Sequence, residues 1–206
     1  PLKVVIENFP EGKIEWLPAL NNPNSDKPEQ REIPFSREIW IEQDDFMEEP
    51  SKKFFRLAPG KEVRLRYAFF VTCNAVIKDE DGEIVELRCS YDPETRGGNA
   101  PDGRKVKGTI HWVSAEHAKD AEVRVYNSFY NTPTPGRDRD FIEDINPNSL
   151  EVLENCKIEP DLITLDDNVP IQFERLGYFY KDPDTTPEKH IYNRTISLRD
   201  TWNKKP

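Results

Sequence analysis

The chain has 206 residues, of which 35% are hydrophobic and 11% aromatic, and a formal net charge of −10. It is too aromatic for a disordered polyelectrolyte and long enough for one large or two small domains. No apolar run approaches the ~18–20 residues of a membrane-spanning helix.

In chain order, the dominant period is two. LKVVIE (2–7), EIWIE (38–42), EVRLRYAFF (62–70), EIVELRC (83–89), VKGTIHWV (106–113), EVRVY (122–126) and IQFERLGYF (171–179) read as strands. Turn signals separate them, among them Pro59-Gly60, Asp81-Gly82, Asp102-Gly103 and Pro135-Gly136. Asp81-Gly82 predicts a tight hairpin, because both residues tolerate positive φ. Helical signals are short: one turn at 43–48, one at 114–119 after Ser114, one at 138–145. The stretches 21–32, 92–103 and 182–189 read as polar loops. Many short strands with closely spaced turns predict an all-β chain of barrels or sandwiches.

Three cysteines, Cys73, Cys89 and Cys156, are odd in number and far apart. They predict free thiols in a reducing cytoplasm and no disulfide framework. No CxxC pair suggests zinc, and the six-residue spacing of His111 and His117 does not suit a helical metal pair. No basic-then-apolar leader is legible, and the opening Pro1 in place of Met suggests a fragment or processed chain. Catalytic signatures are missing: no GxSxG elbow and no GxxxxGK[ST] loop. The neighbouring acids Asp44-Asp45 and Asp166-Asp167 read as solvated turn residues.

The charge distribution says more than its sum. Residues 51–66, SKKFFRLAPGKEVRLR, hold six basic residues and one acid, so the rest of the chain is strongly acidic. A smaller cluster, Arg104, Lys105 and Lys107, follows Asp102. A confined basic stripe on an acidic body suits a protein that binds one polyanion in one place, although such a run also serves simply as a solvated face. In an extended strand Arg64 and Arg66 project the same way, ~6.6 Å apart along the chain. Guanidinium groups bond base edges and phosphates and stack on bases, and Phe54, Phe55 and Tyr67 add aromatic surface nearby. In IQFERLGYF, Gln172, Glu174 and Leu176 fall on one predicted face and Phe173, Arg175 and Gly177 on the other. Gln172 carries both a donor and an acceptor for a base edge.

Six ordered blocks carry a family resemblance: PLKVVIENFPEG, IPFSREIWIEQDDF, KKFFRLAPGKEVRLR, DGRKVKGTIHWVSAEHA, VPIQFERLGYFYKD and NRTISLRDTW. Together they resemble the C-terminal, anticodon-binding part of bacterial-type glutaminyl-tRNA synthetases, class I enzymes. The resemblance implies two consecutive β-barrels, a distal one at 51–128 inserted into a proximal one at 1–50 plus 129–206. It implies contacts to the tRNA anticodon by Arg56, Arg64, Arg66, Gln172 and Arg175, with Lys53, Asn24 and Arg199 as further members of that surface, and Glu174, read from its own chemistry, is expected to join them by accepting from a base amino group or holding an arginine. Phe55 stands where relatives often carry Lys, and a family arginine that would fall just before Pro1 is missing.

The dinucleotide-fold domain with its HIGH-like and KMSKS-like motifs finds no match. This chain is therefore expected to lack catalytic residues, metal and cofactor, ATP belonging to the full-length ligase, and to be inactive alone. The implied partners are the anticodon stem-loop of tRNA(Gln) and a catalytic domain of the same polypeptide, with no role at membranes or on DNA, in the cytoplasm. Two alternatives stay open: the corresponding part of a related glutamyl-tRNA synthetase, and a protein-interaction β-barrel without an RNA role.

Overall fold

The computed structural model describes residues 1–198. Its strands fall into two compact units, Pro1–Ala118 and Lys119 onward. In the first unit, β1 (Leu2–Ile6), β4 (Glu38–Ile41), β5 (Glu62–Leu65), β6 (Phe70–Lys78), β7 (Ile84–Asp92), β8 (Thr109–Ile110) and β9 (Trp112–Ser114) form one sheet. Its order is β8-β5-β6-β7-β1-β4-β9. The two edge strands, β8 and β9, are separated in the chain by His111 alone. Laid flat, seven strands at ~4.8 Å spacing would hold those edges ~29 Å apart, whereas one residue advances ~3.4 Å. The sheet must therefore roll up, and the segment 109–114 closes it by pairing first with β5 and then with β4.

This closure encloses the core. Phe35 is fully buried and meets Phe9 at 5.0 Å, Phe69 at 5.1 Å and Trp112 at 5.2 Å between ring centroids. The Trp112 indole N–H donates to the Arg66 carbonyl at 2.9 Å, so its one polar atom is satisfied. A separate hairpin, β2 (Glu15–Leu20) with β3 (Gln30–Phe35), delivers Phe35, Leu17 and Ala19 to the same core. Cys73 and Cys89 are buried free thiols directly opposite each other on β6 and β7.

The second unit is a five-stranded sheet in the order β11-β10-β14-β13-β12. Its strands are β10 (Lys119–Tyr126), β11 (Leu150–Ile158), β12 (Ile171–Phe173), β13 (Gly177–Lys181) and β14 (His190–Ser197). Val123, Val125, Ile171, Phe179 and Tyr192 form its core. A bulge opposite Ala121–Val123 places Asn155 at φ 60°.

The all-β class holds, and the two units agree with the expected pair of β-barrels. The expected boundaries do not hold. β1 pairs with β7 and β4 with β9, so residues 1–50 and 51–118 share one sheet. β1 is buried at four of five positions and so needs a neighbour on each edge, which β4 and β7 supply. Residues 119–126, assigned by the resemblance to the distal barrel, pair instead with β11 and β14.

Two expected strands are hairpins. The run 62–70 breaks at Tyr67 (φ 62°), with Leu65 N–H bonded to the Phe69 carbonyl at 2.8 Å, and Ala68 and Phe70 are buried with Phe69. The run 171–179 reverses at Arg175 (φ 64°), so Glu174 and Leu176 do not continue the face of Gln172. The Asp81-Gly82 turn forms as expected, with the Asp79 carboxylate accepting from two backbone N–H groups at 3.0 and 2.9 Å. Of the short helices, 3₁₀ turns form at Gln43–Asp45 and Phe141–Asp144, the second capped by Asp140, while 114–119 makes only a single turn into β10. Of the polar loops, 182–189 holds, but 21–32 is cut short by β3 and 92–103 begins with a 3₁₀ turn at Pro93–Thr95.

Phe35→Ala is expected to destabilise the first unit by about 3–5 kcal/mol, as large cavities in aromatic cores do. Urea unfolding followed by tryptophan fluorescence checks this; a loss below about 1 kcal/mol would show that Phe35 is not central to the core.

Candidate nucleic-acid interface

β5, β6 and β7 lie side by side, and their register sets Arg64 opposite Phe70 and Phe70 opposite Asp92. The Phe70 backbone N–H donates to Thr95 Oγ1 at 2.8 Å, which pins the start of the following loop against this row. That loop returns Arg104 onto the same ground. Arg104 Nε and Nη2 grip both oxygens of Glu62 at 2.9 and 3.0 Å. Nη2 also reaches Asp92 at 2.5 Å, and Nη1 reaches Asp102 at 2.7 Å.

This bidentate, charge-assisted fork explains the acid strengths around it. The Arg104 side chain, with the Glu94 N–H, holds the Asp92 carboxyl below the usual range. The Arg104 backbone N–H, then its side chain, does the same for Asp102. Arg104 itself is pushed up, first by Glu62.

Beside this clamp lies a cavity of about 500 Å³, lined by Arg64, Arg104, Lys105 and Lys107 with Asn99 and Val106 among them. Four basic residues and, among the described residues, no acid line it. The Arg64 and Arg104 guanidinium carbons stand 5.3 and 5.4 Å from the centroid of the buried Phe70 ring, within cation–π range. Arg64 Nε is buried yet has no hydrogen-bond partner among the described residues. Gly98 (φ +89°) packs on the arginine stem, and a Cβ there would stand 2.9 Å from Arg64 Cδ. At the other end, Lys107 Nζ lies 5.1 Å from the ring of Phe55, which is 52% exposed. Gly108 lets the chain pass here, since a Cβ would fall 2.1 Å from the Phe55 carbonyl oxygen.

The other sequence candidates do not line this cavity. The N–H groups of Arg64 and Arg66 donate to the Gly108 and Ile110 carbonyls at 2.9 and 3.0 Å. The two-residue step therefore extends to Arg66 just before Tyr67 reverses the chain, and the Arg66 guanidinium covers the Tyr67 ring at 5.1 Å. Arg56 donates to the Asp44 carbonyl at 2.8 Å and lies 3.3 Å from the buried Asp45 carboxylate, which needs a counter-charge. Lys53 is exposed, as is Asn24 in the β2–β3 loop. In the second unit Gln172 is exposed on β12 opposite Tyr178, while Glu174 and Arg175 form the half-buried tip of the β12–β13 hairpin. Arg199 lies outside the described residues.

Arg104, Lys105 and Lys107 were legible as a basic cluster, but nothing local tied them to Arg64. The parallel pairing of β5 with β8 does so, aligning Arg64 with Thr109 just beyond the cluster. Among the described residues no group of three or more acidic, His or Cys side chains is arranged to hold a metal ion.

Residues 1–92 match the family described as tRNA synthetases class I (E and Q), anti-codon binding domain, and residues 109–182 match a second model of the same description. The chain is 58% identical over 204 residues to the glutamine–tRNA ligase of Bradyrhizobium diazoefficiens, covering 99% of the chain and 36% of the relative. It is 55% identical over 204 residues to that of Nitrobacter winogradskyi, again 99% and 36%. The enzyme of Aliivibrio salmonicida is 53% identical over 203 residues, 98% of the chain and 37% of the relative. The chain thus spans little more than a third of the curated relatives it matches.

Because Asp92 and Asp102 sit lower in the folded chain than their ordinary value near 3.9, the unfolded chain binds more protons across that window. Their contribution to stability is present above about pH 4 and is lost as pH falls through the lower folded values. Urea midpoints are expected to fall from pH 5 toward pH 3, and Arg104→Gln is expected to flatten part of that fall. An unchanged pH slope in the variant would show that Arg104 does not hold these carboxylates.

Proposed function

The chain belongs to the anticodon-binding family of class I tRNA synthetases for E and Q, and from that premise we propose that it reads the anticodon of tRNA(Gln) within a glutamine–tRNA ligase. The observation that carries this reading is the cation-lined cavity beside Arg64, where Arg64, Lys105 and Lys107 stand with Arg104, itself bonded to three carboxylates, in a chain whose net charge is −10. A cavity of that kind suits phosphate oxygens and the acceptor edges of unpaired bases.

Arg64 and Arg66 supply guanidinium donors at the end of β5, and the exposed Phe55 offers a stacking face beside Lys107. Lys53 and Asn24 add polar contacts from the same unit. Gln172, with Glu174 and Arg175 beside it, supplies the paired donor and acceptor that discriminate one base edge from another. Arg56 is assigned a mixed role, bracing Asp45 while presenting its remaining N–H groups to RNA. On this reading the ATP-dependent transfer of glutamine to tRNA belongs to the rest of a longer, cytoplasmic enzyme. The chain contributes affinity and specificity and does not aminoacylate tRNA alone. The relatives named above favour glutamine over glutamate as the cognate amino acid.

Arg64→Ala, Arg66→Ala and Gln172→Ala are each expected to weaken binding of the tRNA(Gln) anticodon stem-loop by about 1–3 kcal/mol, with circular dichroism unchanged. Loss of one phosphate-contacting cation is expected to reduce the slope of log affinity against log salt by about 0.7. Equal affinity for stem-loops carrying altered anticodon bases would overturn base reading, and salt-insensitive binding would overturn the RNA assignment itself.

A further inference from the structure

We propose that Arg104 is a positioning residue: by taking three neighbouring carboxylates onto itself, it keeps Arg64 available to a ligand. The inference rests on the reading of the cavity as an RNA site and goes beyond it, because Arg104 acts here through Arg64.

Glu62 and Arg64 are two apart on β5 and therefore share a face, ~6.6 Å apart along the strand. Asp92 lies two strands away on the row that holds Arg64 and Phe70. These acids are the natural ion-pair partners of Arg64, and an arginine paired with them would compete poorly for a phosphate or base edge.

Arg104 removes that competition. All six oxygens of Glu62, Asp92 and Asp102 have a donor. Five are supplied by Arg104, four through its side chain and one through its backbone N–H to Asp102 at 3.0 Å. The sixth, on Asp92, accepts the Glu94 N–H at 3.0 Å. Arg64 stands at the same phenylalanine ring, on the strand face it shares with Glu62 and in the row that holds Asp92, with a buried Nε that no acceptor meets among the described residues. A lysine at 104 would not reproduce this, because one ammonium lacks the planar fork that takes both oxygens of Glu62 while reaching two further acids.

The test is a double-mutant cycle in the full chain, read by stem-loop affinity. Arg104→Gln is expected to lower affinity about fivefold or more, and to add little to the loss in an Arg64→Ala background. Glu62→Gln with Asp92→Asn is expected to restore most of the affinity lost in Arg104→Gln. Additive losses, or no rescue by the neutralised acids, would overturn the positioning role. Thermal unfolding of each variant separates this from damage to the fold: a variant that binds weakly only because it unfolds is replaced by Arg104→Lys, for which partial loss and the same rescue are expected.

A second readout does not depend on RNA. The Arg64 Nε–H resonance is expected to move in Arg104→Gln as Glu62 turns to it, and an unmoved resonance would overturn the proposal. If Arg64→Ala binds the stem-loop as wild type does while that resonance moves, the RNA reading fails and the clamp stands.

Discussion

Closure of the first barrel depends on one short segment that pairs with both edges of the sheet. Residues 109–110 run parallel to β5, and 112–114 run antiparallel to β4, with only His111 between them. This constraint decides where everything else lies. It brings the loop carrying Lys105 and Lys107 alongside Arg64, puts Trp112 into the aromatic core, and lets the Trp112 indole fix the Arg66 carbonyl. The cationic cavity is thus a by-product of how the sheet closes, built from the loop before β8 laid against Arg64 on β5.

Electrostatics then divides the work among residues of like charge. Arg56 balances a buried aspartate, Arg104 gathers three acids, and Arg64 is left with aromatic contact and, among the described residues, no acid. An acidic chain can present a site for a polyanion because its carboxylates near that site are internally neutralised. Net charge describes long-range steering, whereas the assignment of each acid to a partner describes what a bound phosphate meets.

Alternation made β1, β4, β5, β7 and β10 legible, because each buries alternate or successive apolar residues. β2 was not, since Pro18 argues against a strand; it is tolerated because β2 pairs only with β3 in a two-stranded sheet. β11 was hidden by exposed residues at Leu150, Val152 and Leu153, and β14 by its polar second half. The reversals at Tyr67 and Arg175 carry no glycine at the positive-φ position, so nothing local announced them. At the site, charge and residue type pointed to Arg64 and Arg66, but the pairing of Arg56 with Asp45 and of Arg104 with its three acids needs contacts between distant parts of the chain. The barrel boundaries failed for the same reason, because pairing across long sequence separations decides them.

The two sharp reversals, one in each unit, also bear on how freely each can change. Tyr67 and Arg175 occupy left-handed backbone, where a side chain is strained by roughly 1 kcal/mol relative to glycine. Drift toward greater robustness would favour glycine at both places. The Tyr67 ring under the Arg66 guanidinium stands at one such position and Arg175 at the other, so a glycine at 67 would relieve strain only by giving up that cation–π contact.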